Sequence, residues 1–307
     1  MASYQPAKVY EYTPGLTAFE FGENSETDLA HNVIIFIGGL GDGVLTVPYI
    51  TNLSKSLKDI DNGTGRWSLI QILISSSYQG WGTGSLKRDA QEIGRAVQFF
   101  RSEKGGSRKK VVLMGHSTGT QDSVQYLSKF VYENEGNETI KLDGAILQAP
   151  VSDRQAFEQE DPSALAQLLN KCKTEFIDKG KVNDILPQEY RSLTFGVPIT
   201  AYRFYSLASV GGDDDFFSSD LTADDHKQTF GKIKTPFLVL FGEKDEYASP
   251  TLDRQKLVDS WRAATTERYW SPLSKVLKGA THNVGPASDE GAEEDLIKTV
   301  KAFITHI

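Results

Sequence analysis

Apolar residues in this chain fall into short unbroken runs, and between the runs they recur every three or four positions. Residues 32–37, 67–74, 111–114, 144–150 and 236–241 are apolar throughout or nearly so. Such runs mark strands covered on both faces, as in a parallel sheet. A shorter strand is expected at 274–277. Helical spacing appears over 47–58, 86–101, 121–133, 162–177, 251–264 and 293–307. In the second of these, Leu86, Ala90, Ile93, Val97 and Phe100 share one face. Residues 8–22 instead alternate around Pro14 and Gly15, the pattern of a hairpin at a sheet edge. A turn is expected at 61–65.

After the hairpin, strands and helices alternate, which predicts an α/β protein with a mostly parallel central sheet and helices on both faces. The rhythm stops at about residue 151 and resumes at about 232. The intervening stretch shows helical patterns and irregular aromatic segments at 199–207 and 211–220, but no buried strand. It reads as a lid inserted between late strands, leaving 1–150 and 232–307 as the core.

Composition narrows the function. The 307 residues are 39% hydrophobic and 24% charged, which suits a globular chain with a sizeable core. A net charge of −8 argues against nucleic acid or an anionic membrane as partner. No apolar stretch reaches the roughly 18 residues of a membrane span. Residues 1–6 lack the basic start of a secretory leader. The single cysteine, Cys172, permits no internal disulfide. A cytoplasmic protein is the expectation, with the oligomeric state left open.

Candidate chemistry gathers at the C-terminal ends of the predicted strands, where open α/β sheets place their sites. Gly115-His116-Ser117-Thr118-Gly119 lies between a strand and a helix, the Gly-x-Ser-x-Gly of a nucleophile elbow. Of the five histidines, His31 precedes a strand, His116 sits awkwardly inside the elbow, His226 lies in the insertion and His306 at the terminus. His282 alone follows a late strand, where a general base for Ser117 belongs. For the acid, Asp245 is favoured over Glu243 and Glu246 on the same loop, with Asp153 after the preceding strand as the alternative. Oxyanion donors are expected from the N–H of Thr118 and of Leu40, or Gly41, in the glycine-rich loop 38–43. That loop does not fit the Gly-x-Gly-x-x-Gly of a dinucleotide site, and the scattered histidines suggest no metal, so no cofactor is expected. Asp213, Asp214 and Asp215 form an acidic loop that reads as solvated. Tyr78, Trp81, Tyr202 and Phe216, with Phe204 and Phe217, are candidate substrate contacts.

With these residues assembled, the chain resembles the α/β-hydrolase superfamily over nearly its full length. It is most similar to a fungal and plant subfamily that includes esterases of fusarinine siderophores. The marks are Gly115–Gly119 followed by Gln121 and Asp122, then the stretches 148–154, 203–209 and 214–220. Ser117, Asp245 and His282 stand at the superfamily's triad positions. The resemblance implies a serine esterase cleaving a small-molecule ester, fusarinine-type hydroxamate siderophores in particular, for intracellular iron release. Lipid or thioester hydrolysis, or a ligand-binding receptor on the same fold, are the alternatives.

Overall fold

The structure, a computed structural model, describes residues 5–22, 30–58, 60, 63 and 65–307. Much of the expected turn at 61–65 lies outside them. An edge hairpin, β1 (Ala7–Thr13) and β2 (Leu16–Phe21), is followed by β3 (Asn32–Ile37), α1 (Ile50–Leu57), β4 (Trp67–Ile72) and α2 (Leu86–Arg101). Then come β5 (Lys110–His116), α3 (Thr118–Gln125) and β6 (Gly144–Gln148). Helix α3 continues through a π-helical turn at Tyr126–Phe130. Four helices occupy the stretch before the next strand: α4 (Asp153–Glu160), α5 (Pro162–Cys172), α6 (Ala201–Ala208) and α7 (Ala223–Gln228). The chain closes with β7 (Phe237–Gly242), α8 (Arg254–Ala264), β8 (Lys275–Leu277) and α9 (Ala292–Thr305).

The eight strands form one sheet in the order β1-β2-β4-β3-β5-β6-β7-β8. Only β1 with β2 and β2 with β4 pair antiparallel; the remaining pairs are parallel. Alternation along β3 shows why its run had to be apolar throughout. Val33, Ile35 and Ile37 join the core beneath α2, α3 and α8, whereas Ile34 and Phe36 join the core beneath α1 and α9. The hairpin is tied in by a buried ion pair between Glu20 and Arg108, with the Tyr10 and Ser68 hydroxyls donating to the same carboxylate.

Two expectations are corrected. The segment 199–207 is not irregular: Ala201–Ala208 is a helix, capped by the Thr200 hydroxyl, which accepts from the Arg203 N–H at 3.2 Å. Its period was obscured because Arg203, polar by type, is buried beside Phe204 and Leu207. Nor is Asp213–Asp215 a solvated loop. Asp214 and the Asp215 side chain are buried, paired with Arg203 and Arg154, and Asp213 accepts from the Tyr202 hydroxyl at 2.6 Å. Helices α4, α5 and α6 share a third apolar cluster, with Trp81, Phe157, Leu165, Cys172 and Tyr190, stacked over the C-terminal ends of the strands.

Candidate active site

Ser117 alone makes the turn between β5 and α3, with φ 53° and ψ −127°. A non-glycine residue at positive φ costs about 1–2 kcal/mol, so neighbours must hold it. The Ser117 N–H donates to the Gln148 carbonyl at 3.0 Å, and its carbonyl accepts from the Thr120 N–H at 2.7 Å. The flanking glycines are required by contact. A Cβ on Gly115 would lie 2.1 Å from the Gly119 carbonyl oxygen, and one on Gly119 would lie 2.6 Å from that of Ile37. Strand and helix can pack closely enough for the turn only without those side chains.

From this turn the Ser117 hydroxyl reaches His282, with Oγ 2.8 Å from Nε2. Nδ1 of the same ring lies 2.8 Å from Oδ2 of Asp245. Both residues are buried. The four acids considered from sequence separate cleanly. Glu246 accepts from the His282 backbone N–H at 2.9 Å, Glu243 accepts from Gly279 N–H at 2.7 Å, and Asp153 accepts from the Gln121 amide at 2.6 Å. Among these, Asp245 meets the imidazole. Hydroxyl, imidazole and carboxylate in this order can move the hydroxyl proton onto the ring while the carboxylate fixes the tautomer.

The loop after β3 folds directly over the hydroxyl. A Cβ on Gly39 would sit 2.5 Å from Ser117 Cβ and 3.2 Å from the Thr118 nitrogen. Gly39 thus brings its loop against both Ser117 and Thr118, and neither the Leu40 nor the Thr118 N–H donates to a protein acceptor among the described residues. Asp42 pins the loop by accepting from the Gly39 N–H and the Thr46 hydroxyl, each at 2.7 Å.

Gln148, at the end of β6, carries a role that sequence reading missed. Its carbonyl holds Ser117, its amide nitrogen donates to the His282 carbonyl at 3.1 Å, and its amide oxygen accepts from Tyr49 at 2.9 Å and meets His116 Nδ1. Burial, reinforced by His282, pushes the His116 imidazole down to about 4, so it is neutral at physiological pH. Burial, then repulsion from Asp214, lifts Asp153 to about 7.

Set against known proteins, the chain matches over residues 1–305 the family described as protein of unknown function (DUF1749). It belongs to that family. A UPF0613 protein of Schizosaccharomyces pombe, PB24D3.06c, is 41% identical, with 99% of each chain covered. Fusarinine C esterase sidJ of Aspergillus fumigatus is 33% identical over 94% of this chain and 92% of its own. The solved siderophore hydrolase EstB from Aspergillus fumigatus superposes with a TM-score of 0.81, at 31% identity over 99% of this chain and 98% of its own. Within DUF1749, then, this chain has the α/β-hydrolase fold.

At the site of this DUF1749 protein lies a cavity of about 320 Å³, bordered by Ser117, His116 and His282. Leu40 and Asp153 also line it, but the four aromatic candidates do not. Trp81 and Phe216 are core residues: Trp81 is buried with Phe204 in the apolar cluster of α4, α5 and α6, and Phe216 with Phe217 in the core on one face of the sheet. Tyr202 turns to Asp213. Tyr78 is half-exposed and braces the glycine loop from outside: its hydroxyl accepts from the Val44 N–H at 3.1 Å, and its ring fills the place of a Gly43 side chain. The apolar walls are instead Val47, Val151, Ala156, Phe157, Leu193 and Phe195. Phe195 carried a usable signal, an aromatic directly before Gly196.

Proposed function

We propose that this protein is a serine carboxylic-ester hydrolase that works through an acyl-enzyme on Ser117. The observation that carries the reading is the continuous hydrogen-bonded line Ser117–His282–Asp245, 2.8 Å at each step, beside two unpaired N–H donors. Ser117 Oγ attacks the ester carbonyl as its proton passes to His282 Nε2, and Asp245 stabilises the imidazolium. The N–H groups of Leu40 and Thr118 receive the oxyanion. Collapse expels the alcohol, which takes the proton from His282. Water, activated by the same imidazole, then releases the acid and restores the serine.

The substrate we favour is an ester of a fusarinine-type hydroxamate siderophore, whose cleavage would free iron inside the cytoplasm. Two relatives support this choice, one named a fusarinine C esterase and the other a siderophore hydrolase. Residues 151–231 act as the lid, since Val151, Phe157, Leu193 and Phe195 from that stretch wall the cavity. A lone buried thiol at Cys172 suits a reducing compartment.

A fluorophosphonate should label the folded protein at Ser117, located by peptide mass, and Ser117→Ala should abolish labelling. His282→Ala should lower kcat on a simple aryl ester by roughly 10³-fold or more with an unchanged melting curve. Mass analysis of products from ferric and iron-free fusarinines tests the substrate. Labelling without turnover of either fusarinine would overturn the siderophore assignment, and no adduct at Ser117 would overturn the esterase.

A further inference from the structure

The cavity at Ser117 is walled by apolar side chains, yet it carries four carboxyl groups and no lysine or arginine. Asp42 comes from the loop after β3, Asp153 and Glu160 from the two ends of α4, and Glu246 from the loop after β7. None of the four is within 4.0 Å of a lysine or arginine among the described residues. Two nearby arginines are already engaged: Arg154, next to Asp153 in sequence, pairs with Glu158, Asp215 and Asp220, and Arg203 lies 2.7 Å from both oxygens of Asp214. The imidazole closest to Asp42, that of His116, 3.9 Å away, is neutral at physiological pH. A cleft lined by one sign of charge between low-dielectric walls concentrates the opposite sign.

Two aromatic rings stand at the same place. Tyr247 is 42% exposed and packs edge-on against His282, with centroids 4.7 Å apart. Phe195 is 65% exposed and sits at φ 52°, a left-handed conformation that an aromatic residue adopts only when held there. The Gln159 amide donates to the Tyr247 carbonyl at 3.0 Å, which ties the end of α4, and so Glu160, to the loop carrying Glu246. The Tyr247 phenol is pushed up by burial and then by Glu246, Asp245, Glu160 and Asp42. Carboxylates beside open aromatic faces are the usual surroundings of a bound ammonium group.

We propose that this cavity selects an ester bearing a positively charged ammonium group, seated among Glu160, Glu246, Tyr247 and Phe195 while the ester carbonyl meets Ser117. The inference rests on the esterase reading and adds the charge class of its substrate. Apolar walls take the uncharged stem, and the ammonium replaces the cation that the lining lacks. Esters carrying a carboxylate are repelled by Asp42, Glu160 and Glu246.

The test uses aryl esters matched in length whose acyl chains end in trimethylammonium, tert-butyl or carboxylate, and a second set with the same groups on the alcohol. We expect kcat/KM to favour the ammonium ester over its tert-butyl isostere by tenfold or more in at least one set. The carboxylate should be poorest, the difference should lie mainly in KM, and added salt should shrink it. Glu160→Gln should lower the ammonium-to-neutral ratio severalfold, and Glu160→Lys should raise turnover of the carboxylate ester. Glu103→Gln, at the opposite end of the sheet, should leave the ratio as it was, which separates a local site from the overall charge of −8. Equal or better turnover of the neutral ester in both sets would overturn the proposal. Turnover of none of the esters, with no fluorophosphonate adduct, would remove the esterase reading and this inference with it.

Discussion

At Gly39 the absence of one carbon decides whether the site is open. Its own φ requires no glycine, but a Cβ there would press on the Ser117 side chain, 2.5 Å from Cβ and 2.9 Å from Oγ. The backbone must approach that closely if the next N–H, on Leu40, is to face an oxyanion forming over Ser117. Gly39→Ala should therefore act on chemistry more than on folding. We expect kcat on a neutral aryl ester to fall by roughly 10²–10³-fold, the scale of losing one oxyanion donor, with thermal unfolding shifted little. Activity within a few-fold of wild type would show that the loop does not need this approach. Tyr78 belongs to the same arrangement, since it closes over Gly43 from the solvent side.

Among the elements, the strands and the helix expected over 162–177 were legible from sequence, whereas α4, α6 and α7 above the sheet were not, and the reason is the environment each meets. Both faces of β3, β5 and β7 are covered, so 33–37, 111–114 and 237–241 are apolar throughout and the runs are unmistakable. The turn chemistry after β5, β7 and β8 could likewise be read, because a strand end, a glycine and a reactive side chain fall together in sequence. The helices above the sheet bury polar residues instead. In α6, Arg203 is 1% exposed, donates to the Trp81 carbonyl at 3.1 Å and holds Asp214 with both carboxylate oxygens. Such a residue breaks the hydrophobic period it helps to anchor. The cavity walls were hidden for another reason: they come from loops and helix ends far apart in sequence, brought together only by α4 and the 3₁₀ turn at Gln188–Ser192. If Arg203 is the fastening of α6, Arg203→Ala leaves Asp214 buried without its cation. Urea unfolding at pH 7.5 should then show a loss of about 3–5 kcal/mol. A loss under about 1 kcal/mol would place the fastening elsewhere.

For the molecule as a whole, charge around Arg203 is out of balance. Asp214 pairs with its guanidinium, whereas Asp89, Asp122 and Asp153 feel it only at longer range, and Asp89 also has Arg88 at 3.7 Å. Burial raises Asp89 to about 6 and Asp153 to about 7. Asp122 is driven well above its ordinary value, by burial and then by Asp89, and its Oδ1 has no hydrogen-bond partner. Folding therefore keeps protons on carboxyls that the unfolded chain would release above about pH 4. A group whose folded pKa is raised gives its full stability below the unfolded value and loses it as pH rises through the folded one. His116 works the other way. Its folded pKa is lowered to about 4, so stability is lost as pH falls from about 6.5 toward 4. The two trends oppose each other in the wild type, and a variant is needed to separate them. Asp122→Asn replaces a carboxyl whose ionisation burial disfavours with a neutral group of nearly the same shape. It removes the work of protonation, which grows with pH above about 4, while leaving His116 untouched. The melting temperature of the variant should exceed that of wild type at pH 8, and the gain should shrink on going to pH 5.5. A variant less stable than wild type at both values would mean that Asp122 is ionised in the folded protein and that Arg203 balances more negative charge than its surroundings indicate.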